Sequence, residues 1–269
     1  MKRFNIFFVA AACILTFLSS CSSSQSKKTG SDVKAKAKAE ATARQGLAEA
    51  GYDYPLYGNV SKITMAQMCD GFPCGVTVIT FNEAGDVAKS ELYDESYLCE
   101  SLFVYDADER LLNINSELTC DGDDEVLESS RMEFVYDAAG KVISKNSYGE
   151  FELESSLKFF YDEKGGLVKS VLFVDGGSSA SIVCTYDGAG NMISEVGDGA
   201  ARMFKYVYDE NGLCTGYTMT SEMGDERREY TYDKYGNIIE VNDYLLGETE
   251  PFRILVCDIT YADQASTTK

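Results

Sequence analysis

The residues of this chain that could do chemistry are carboxylates and thiols. Asp and Glu together number 44 of 269 residues, and there is no His. Without histidine there is no Ser-His-Asp or Cys-His arrangement for nucleophilic catalysis. With no Cys-x-x-Cys pair either, a zinc site lacks its usual ligands. Paired carboxylates of the kind that hydrolyse glycosides arise by chance in a chain this acidic, so their abundance carries no signal. The densest acidic stretch is Asp121-Gly122-Asp123-Asp124-Glu125. A Ca2+ ion takes several carboxylate oxygens, and Asp121, Asp123 and Asp124 are its candidate ligands. The stretch lacks the EF-hand spacing, and a solvated acidic loop is the simpler reading. Gly188-Ala189-Gly190-Asn191 reads as a hairpin tip, without the helix that must follow a phosphate-cradling loop. The expectation is a chain with no catalytic site and no cofactor.

The thiols divide by position. Lys2 and Arg3 precede an apolar run, Ile6 to Leu18, that is too short to cross a bilayer as a helix and reads as an export signal over residues 1–20. The run ends in Leu18-Ser19-Ser20-Cys21, and each of the four matches its slot in the bacterial lipobox, which it resembles. That resemblance implies that Cys21 becomes the acylated first residue of the mature protein. It implies attachment to a membrane through that residue and an outer-membrane address, on the periplasmic or surface face. An anchor with more than one acyl chain holds a soluble domain stably. Residues 21–50 then read as a polar tether followed by an Ala- and Lys-rich stretch, Val33 to Ala50, with the propensity for a short helix. Seven thiols remain: Cys69, Cys74, Cys99, Cys120, Cys184, Cys214 and Cys257. Export permits disulfides, and an odd number leaves at least one thiol unpaired within the chain. Cys69 and Cys74 flank Asp-Gly-Phe-Pro, a turn able to bring them together. Cys184, Cys214 and Cys257 read as small apolar core residues.

Charge excludes one class of partner. Residues 51–269 hold 16 basic and 41 acidic side chains, a formal balance of −25. Phosphate binding needs clustered Lys and Arg, so nucleic acid is excluded. The excess of acids serves solubility.

These residues are set out by a repeat. Tyr-Asp-x-x-Gly recurs at Tyr136, Tyr161, Tyr186, Tyr208 and Tyr232, with looser copies from Tyr54, Phe81, Tyr105 and Tyr261. Successive anchors lie 27, 24, 31, 25, 25, 22, 24 and 29 residues apart, the range of repeat architectures. The turn residues are Asp137 and Gly140, Asp162 and Gly165, Asp187 and Gly190, Asp209 and Gly212, and Asp233 and Gly236. In each pair the Asp accepts hydrogen bonds from turn amides, and the Gly supplies the left-handed step that closes a short hairpin loop with a bulge. The flanks alternate with period two, as strands do. One face carries the anchor rings and the residue six positions on, from Val60 through Ile238, and reads as buried; the other is mixed. The position seven after the anchor, often apolar, leaves the facing of the outgoing strands open. Counting gives about sixteen strands of 7–11 residues in an all-β antiparallel meander over 51–265, with a polar tail at 266–269. Long open sheets leave edges exposed, so this one should curl or close into a flattened, barrel-like single sheet. A round barrel of that size is too wide for side chains to fill, and the 33–50 helix is a candidate plug. Neither face offers the continuous apolar band of a membrane-spanning barrel.

The Tyr-Asp pair, the Gly three residues after the Asp and the apolar residues that follow resemble the YD repeats of the Rhs family over about residues 54–265. Large Rhs proteins build a hollow shell from such repeats around a toxic cargo, and this chain is far too short to enclose a polypeptide. It looks closer to small exported bacterial lipoproteins with degenerate YD repeats, some with a porin-like single-sheet barrel. The resemblance thus implies fold rather than activity. One end of the hairpin stack is uniform, while the other carries tips of varied length, where binding residues usually sit. The expected function is a non-catalytic binding or scaffolding module contacting another envelope protein or a glycan. The rivals are a structural envelope protein without a discrete ligand and a polysaccharide-acting enzyme.

Overall fold

The computed structural model describes residues 46–120, 125–150, 152–163, 165–174, 177–187, 191–197 and 200–262. The strands are β1 (Val60–Cys69), β2 (Phe72–Phe81), β3 (Val87–Asp94), β4 (Tyr97–Tyr105), β5 (Leu111–Cys120), β6 (Val126–Tyr136), β7 (Val142–Tyr148) and β8 (Leu153–Tyr161). They continue as β9 (Leu167–Val174), β10 (Gly177–Tyr186), β11 (Met192–Gly197), β12 (Ala200–Tyr208), β13 (Cys214–Ser221), β14 (Glu226–Tyr232), β15 (Ile238–Leu245) and β16 (Arg253–Tyr261). Each pairs antiparallel with its sequence neighbours, and β1 pairs with β16 from Val60↔Tyr261 to Cys69↔Arg253. The sheet is therefore a closed sixteen-strand barrel, and closure removes the free sides that an open meander would leave.

The repeated turn is built as its composition requires. Asp137 N donates to Lys141 O and Gly140 N to Asp137 O, at 2.9 and 3.1 Å. The Asp137 carboxylate accepts from the Ala139 and Lys141 amides at 2.8 and 2.9 Å. Gly140 sits at φ 80°, in the region that favours glycine. Glu109, in the glycine slot of the Tyr105 copy, takes up φ 62°. There Asp106 accepts from the Asp108 and Arg110 amides and from the Arg110 guanidinium, over-determining the turn.

Beside each turn the register slips by one. Val135 faces Ser144 while Tyr136 faces Val142, so Ile143 is bulged out. The same slip sets Phe81 opposite Val87, Tyr105 opposite Leu111, Tyr161 opposite Leu167, Tyr208 opposite Cys214 and Tyr232 opposite Ile238. This settles the facing of the outgoing strands. The residue six after the anchor turns inward and the seventh outward, where Leu112, Ile143 and Ile193 are exposed.

The bulge has a cost at the joint between repeats. Pairing there begins further in, at Lys89↔Leu102, Asn113↔Glu133, Ser144↔Lys158 and Gly216↔Glu229. The carbonyls of Val87, Leu111, Val142 and Cys214 thus lie beyond the ladder. The hydroxyl of the next anchor fills each gap: Tyr105, Tyr136, Tyr161 and Tyr232 donate to them at 2.5–2.7 Å. The anchor tyrosine is a bond between consecutive hairpins as well as a core ring. Tyr208 departs from this pattern: it is 47% exposed, against the expectation that the anchor rings turn away from water, and its hydroxyl accepts from Asn191 Nδ2.

A run of chain enters the lumen. Of the helix expected over 33–50, residues 46–50 lie among the described residues and form hydrogen-bonded turns; the rest lies outside them. Gly51 at φ 97°, with Gly51 N donating to Ala48 O and Tyr52 N to Leu47 O, closes the last turn as helix ends are closed. Leu47, Ala50, Tyr52 and Leu56 then pack with Ile63, Ile79, Val87, Phe103, Phe134 and Cys257 as the core. The segment contacts both sides of the ring. Glu49 pairs with Lys145 of β7, while Tyr57 N and O bond both ends of the Asn237 amide just before β15, eight strands away. Outside, Lys158, Lys169, Lys205, Glu229 and Asp258 are exposed on the strands among Val104, Val135 and Val207, so the outer face is mixed, as its sequence pattern indicated.

If the hydroxyl bonds couple the repeats, Tyr136→Phe should lower the unfolding free energy by about 0.5–1.5 kcal/mol, the net worth of one hydrogen bond. Tyr105→Phe and Tyr161→Phe should add to it. Tyr97→Phe, at a hairpin tip, should be neutral in the same urea titration. Equal midpoints for all four proteins would refute the coupling.

Candidate functional site

The turn residues expected from sequence form one rim. Asp137, Gly140, Asp162, Gly165, Asp187, Asp209, Gly212, Asp233 and Gly236 all lie in that ring of short loops, where Oδ1 of each Asp accepts from the turn amides and Asp233 Oδ2 also accepts from the Tyr261 hydroxyl. Gly190, the lipobox residues Leu18, Ser19, Ser20 and Cys21, and the calcium candidates Asp121, Asp123 and Asp124 lie outside the described residues. Among the described residues no group of three or more Cys, Asp or Glu is placed to hold a metal ion.

The other rim varies. The β1–β2 tip is a two-residue Asp70-Gly71 turn, both residues at positive φ as that hairpin type requires. It is closed by a Cys69–Cys74 disulfide, as the intervening turn suggested. Cys99, Cys120, Cys184, Cys214 and Cys257 form no disulfide; Cys184 and Cys257 are buried as expected, while Cys214 is only half-buried. The β7–β8 tip spans 149–152, and the β15–β16 tip spans 246–252.

Beside the β7–β8 tip lies a recess of about 370 Å³, lined among others by Asn115, Glu117, Ser129, Arg131, Tyr148 and Glu150. Its floor is held by a linked trio. Arg131 lies over the Tyr148 ring at 4.8 Å and pairs with Glu133 at 2.9 Å. A hydrogen bond to Glu133, more than burial, raises the Tyr148 hydroxyl above its ordinary range. Next to the recess, burial and then the Glu154 charge raise the Glu128 carboxyl. The arrangement offers carboxylates, one guanidinium and one ring for recognition by charge and hydrogen bond.

Among the ionic groups inside the barrel that escaped sequence reasoning, two stand out. Asp243, 2% exposed, accepts from Arg228 Nε and Nη2 at 2.6 and 3.1 Å and from Arg253 Nε at 2.6 Å. The Arg228 guanidinium also lies over Tyr217. The second group is Asp53 in the lumen segment, near Glu49 and Lys145. Burial first, then the Glu49 charge, pushes its carboxyl up to about 7, against the pull of Lys145. The only signal for Asp243 was its inward phase on β15; for Asp53 there was none, because the segment belongs to no strand.

No family model matches this chain, and no curated protein does. Among solved structures it is similar to a porin-like protein from Bacteroides uniformis, with 13% identity and a TM-score of 0.46, over 75% of this chain and 96% of that one. It is similar to a porin-like protein from Bacteroides vulgatus, with 12% identity and a TM-score of 0.37, over 76% and 99%. It is also similar to a chain in a structure of TcdB2-TccC3-Cdc42, with 16% identity and a TM-score of 0.24, covering 67% of this chain and 12% of that one. All three TM-scores fall below 0.5, so the strand order and closure rest on this chain's own pairing.

Two pH responses follow, of opposite sign. Asp53 ionises at 3.8 when unfolded and near 7 when folded, so folding holds its proton. Stability from this group is intact below pH 3.8 and declines as pH rises towards 7. Asp53→Asn should flatten that decline and stabilise the protein at about pH 8, measured by urea midpoint. Asp209 runs the other way: the Leu213 amide, then the Asn211 amide, holds its carboxyl below the ordinary range. Its contribution is present above the unfolded value and is lost as pH falls through the folded one. Asn82 makes the same bond to the Asp86 amide with an uncharged oxygen, so Asp209→Asn should keep the turn and weaken acid unfolding. Unchanged pH profiles would contradict both assignments.

Proposed function

We propose that this chain is a non-catalytic cell-envelope lipoprotein. On this reading it is held at the outer membrane by acylated Cys21, and its β-repeat domain binds or scaffolds another envelope protein or a glycan through the variable rim. The observation that carries the reading is the unequal build of the two rims. At one, loops of uniform length are closed by an Asp side chain and a left-handed residue. At the other, tips of different length surround a recess with exposed Glu117, Glu150 and Glu152. Loops on a rigid frame are where recognition concentrates. The membrane attachment is supported by Leu18-Ser19-Ser20-Cys21 after an apolar run.

Photo-crosslinking residues placed at Ser129 and Glu150, and at Ala138 and Glu210 on the opposite rim, test this in the native envelope. A single identified partner captured from the first pair and not the second is the expected result. Capture from neither pair, or equally from both, would overturn it in favour of a structural protein without a discrete ligand. Cys21→Ala should move the protein from the membrane to the soluble fraction; retention in the membrane would overturn the anchor.

A further inference from the structure

The closed barrel has a local gap in its backbone pairing at the variable rim. Strand β6 pairs with β5 from Glu133 out to Val126, but with β7 only as far as Arg131↔Tyr148. The β7–β8 hairpin turns back there, with Tyr148 facing Leu153. Val126–Ser130 therefore has a strand on one side alone among the described residues. At about 3.3 Å per residue that is roughly 17 Å of strand side with backbone groups unmatched by a ladder. Strand β10 also outruns its neighbour, since its pairing with β11 stops at Val183↔Val196. There, however, the β11 end closes in: a Cβ on Gly197 would lie 3.5 Å from Ile182 Cγ1. The β6 gap instead opens onto the 370 Å³ recess.

Proteins usually blunt such edges with Lys, Pro or a covering loop. Val126-Leu127-Glu128-Ser129-Ser130 contains no Lys and no Pro, and Val126 and Leu127 are 44% and 50% exposed. The charge around the gap is one-sided. Glu117, Glu128, Glu150, Glu152 and Glu154 surround it, and Arg131 is already paired with Glu133. A second copy of this strand would set Glu128 against acidic residues within a domain of strongly negative balance. A cationic chain would relieve that crowding. The recess and the apolar pair leave room for alternating side chains.

We infer that the Val126–Ser130 side of β6 takes up an extended, Lys- or Arg-bearing peptide segment as an added strand, with its basic side chains over Glu117, Glu150 and Glu152. Main-chain hydrogen bonds supply the pairing and the carboxylates the selectivity, as in other cases of strand addition. This deepens the binding reading above and rests on it.

The test uses the chain from residue 22 and a fluorescent octapeptide of alternating Lys and Val. Fluorescence polarisation should show binding that weakens with salt. Hydrogen exchange should slow at the amides of Val126–Ser130 and not at β10. The same peptide with alternate amides N-methylated should lose at least tenfold in affinity, as should the alternating Glu-Val peptide. Glu117→Gln with Glu150→Gln and Glu152→Gln, three exposed changes outside the barrel core, should cut affinity by a similar factor. Undiminished binding of the N-methylated peptide, or binding without protection of Val126–Ser130, would overturn strand addition. Protection of the recess by a chito-oligosaccharide and not by the Lys-Val peptide would overturn the peptide in favour of a glycan. Rim crosslinking to a partner with no peptide binding would sink this inference and leave the wider binding reading standing. Crosslinking that fails at the rim would sink both.

Discussion

The fold depends on how a carbonyl beyond the ladder is bonded. A three-residue loop with its bulge turns each hairpin tightly, and the same bulge throws the next residue outward and separates the following strand pair at that end. The carbonyls of Val87, Leu111, Val142 and Cys214 lie at the border of the core, beyond the first pairs of the next ladder. The tyrosine hydroxyl of the next repeat reaches back to each. One residue type thus supplies a buried ring and a directional bond, which explains a repeated Tyr where Phe would serve burial alone. At the seam the rule bends. Tyr52 from the lumen segment donates to Ile238 O, and Tyr261 bonds Asn237 and Asp233 instead.

The second constraint is the width of the ring. Sixteen strands enclose more than side chains can fill, and the answer is a strand-free run of backbone through the middle. Such a run brings its own polar groups inside, and they must be met. Asn237 imitates a backbone partner for Tyr57, and Glu49 finds Lys145. Asp53, close to both, keeps its proton to near neutral pH because the interior offers its charge too little. The segment takes up the part of the interior lined by β1–β6 and β16.

The two rims answer to different demands. The uniform rim is rigid because Asp or Asn side chains and left-handed residues close its described loops. The variable rim is released from that demand, and there the strands end unevenly. Where β7 stops short of β6, a sheet otherwise closed on itself becomes locally open, with acidic side chains crowded around the opening. That combination of rigid frame and uneven border is what a recognition surface needs.

The sequence by itself determined the strands, their number, the antiparallel order, the inward face of the incoming strands and the uniform turns, while the register slip beside each turn decided the facing of the outgoing ones. These follow from local rules: alternation, the Asp cap, and a position that tolerates left-handed backbone, which even Glu109 occupies. It showed that the turn between Cys69 and Cys74 could bring them together and left the pairing itself to the structure. Closure of β1 on β16, the entry of residues 46–58 into the lumen, the Asp243–Arg228–Arg253 group and the unpaired stretch of β6 were decided by tertiary structure alone. Each depends on distances between residues far apart in the chain. Tyr57 and Asn237 meet across 180 positions. No period or spacing encodes such a meeting, since what selects it is the volume left inside the ring and the polar groups that volume must satisfy.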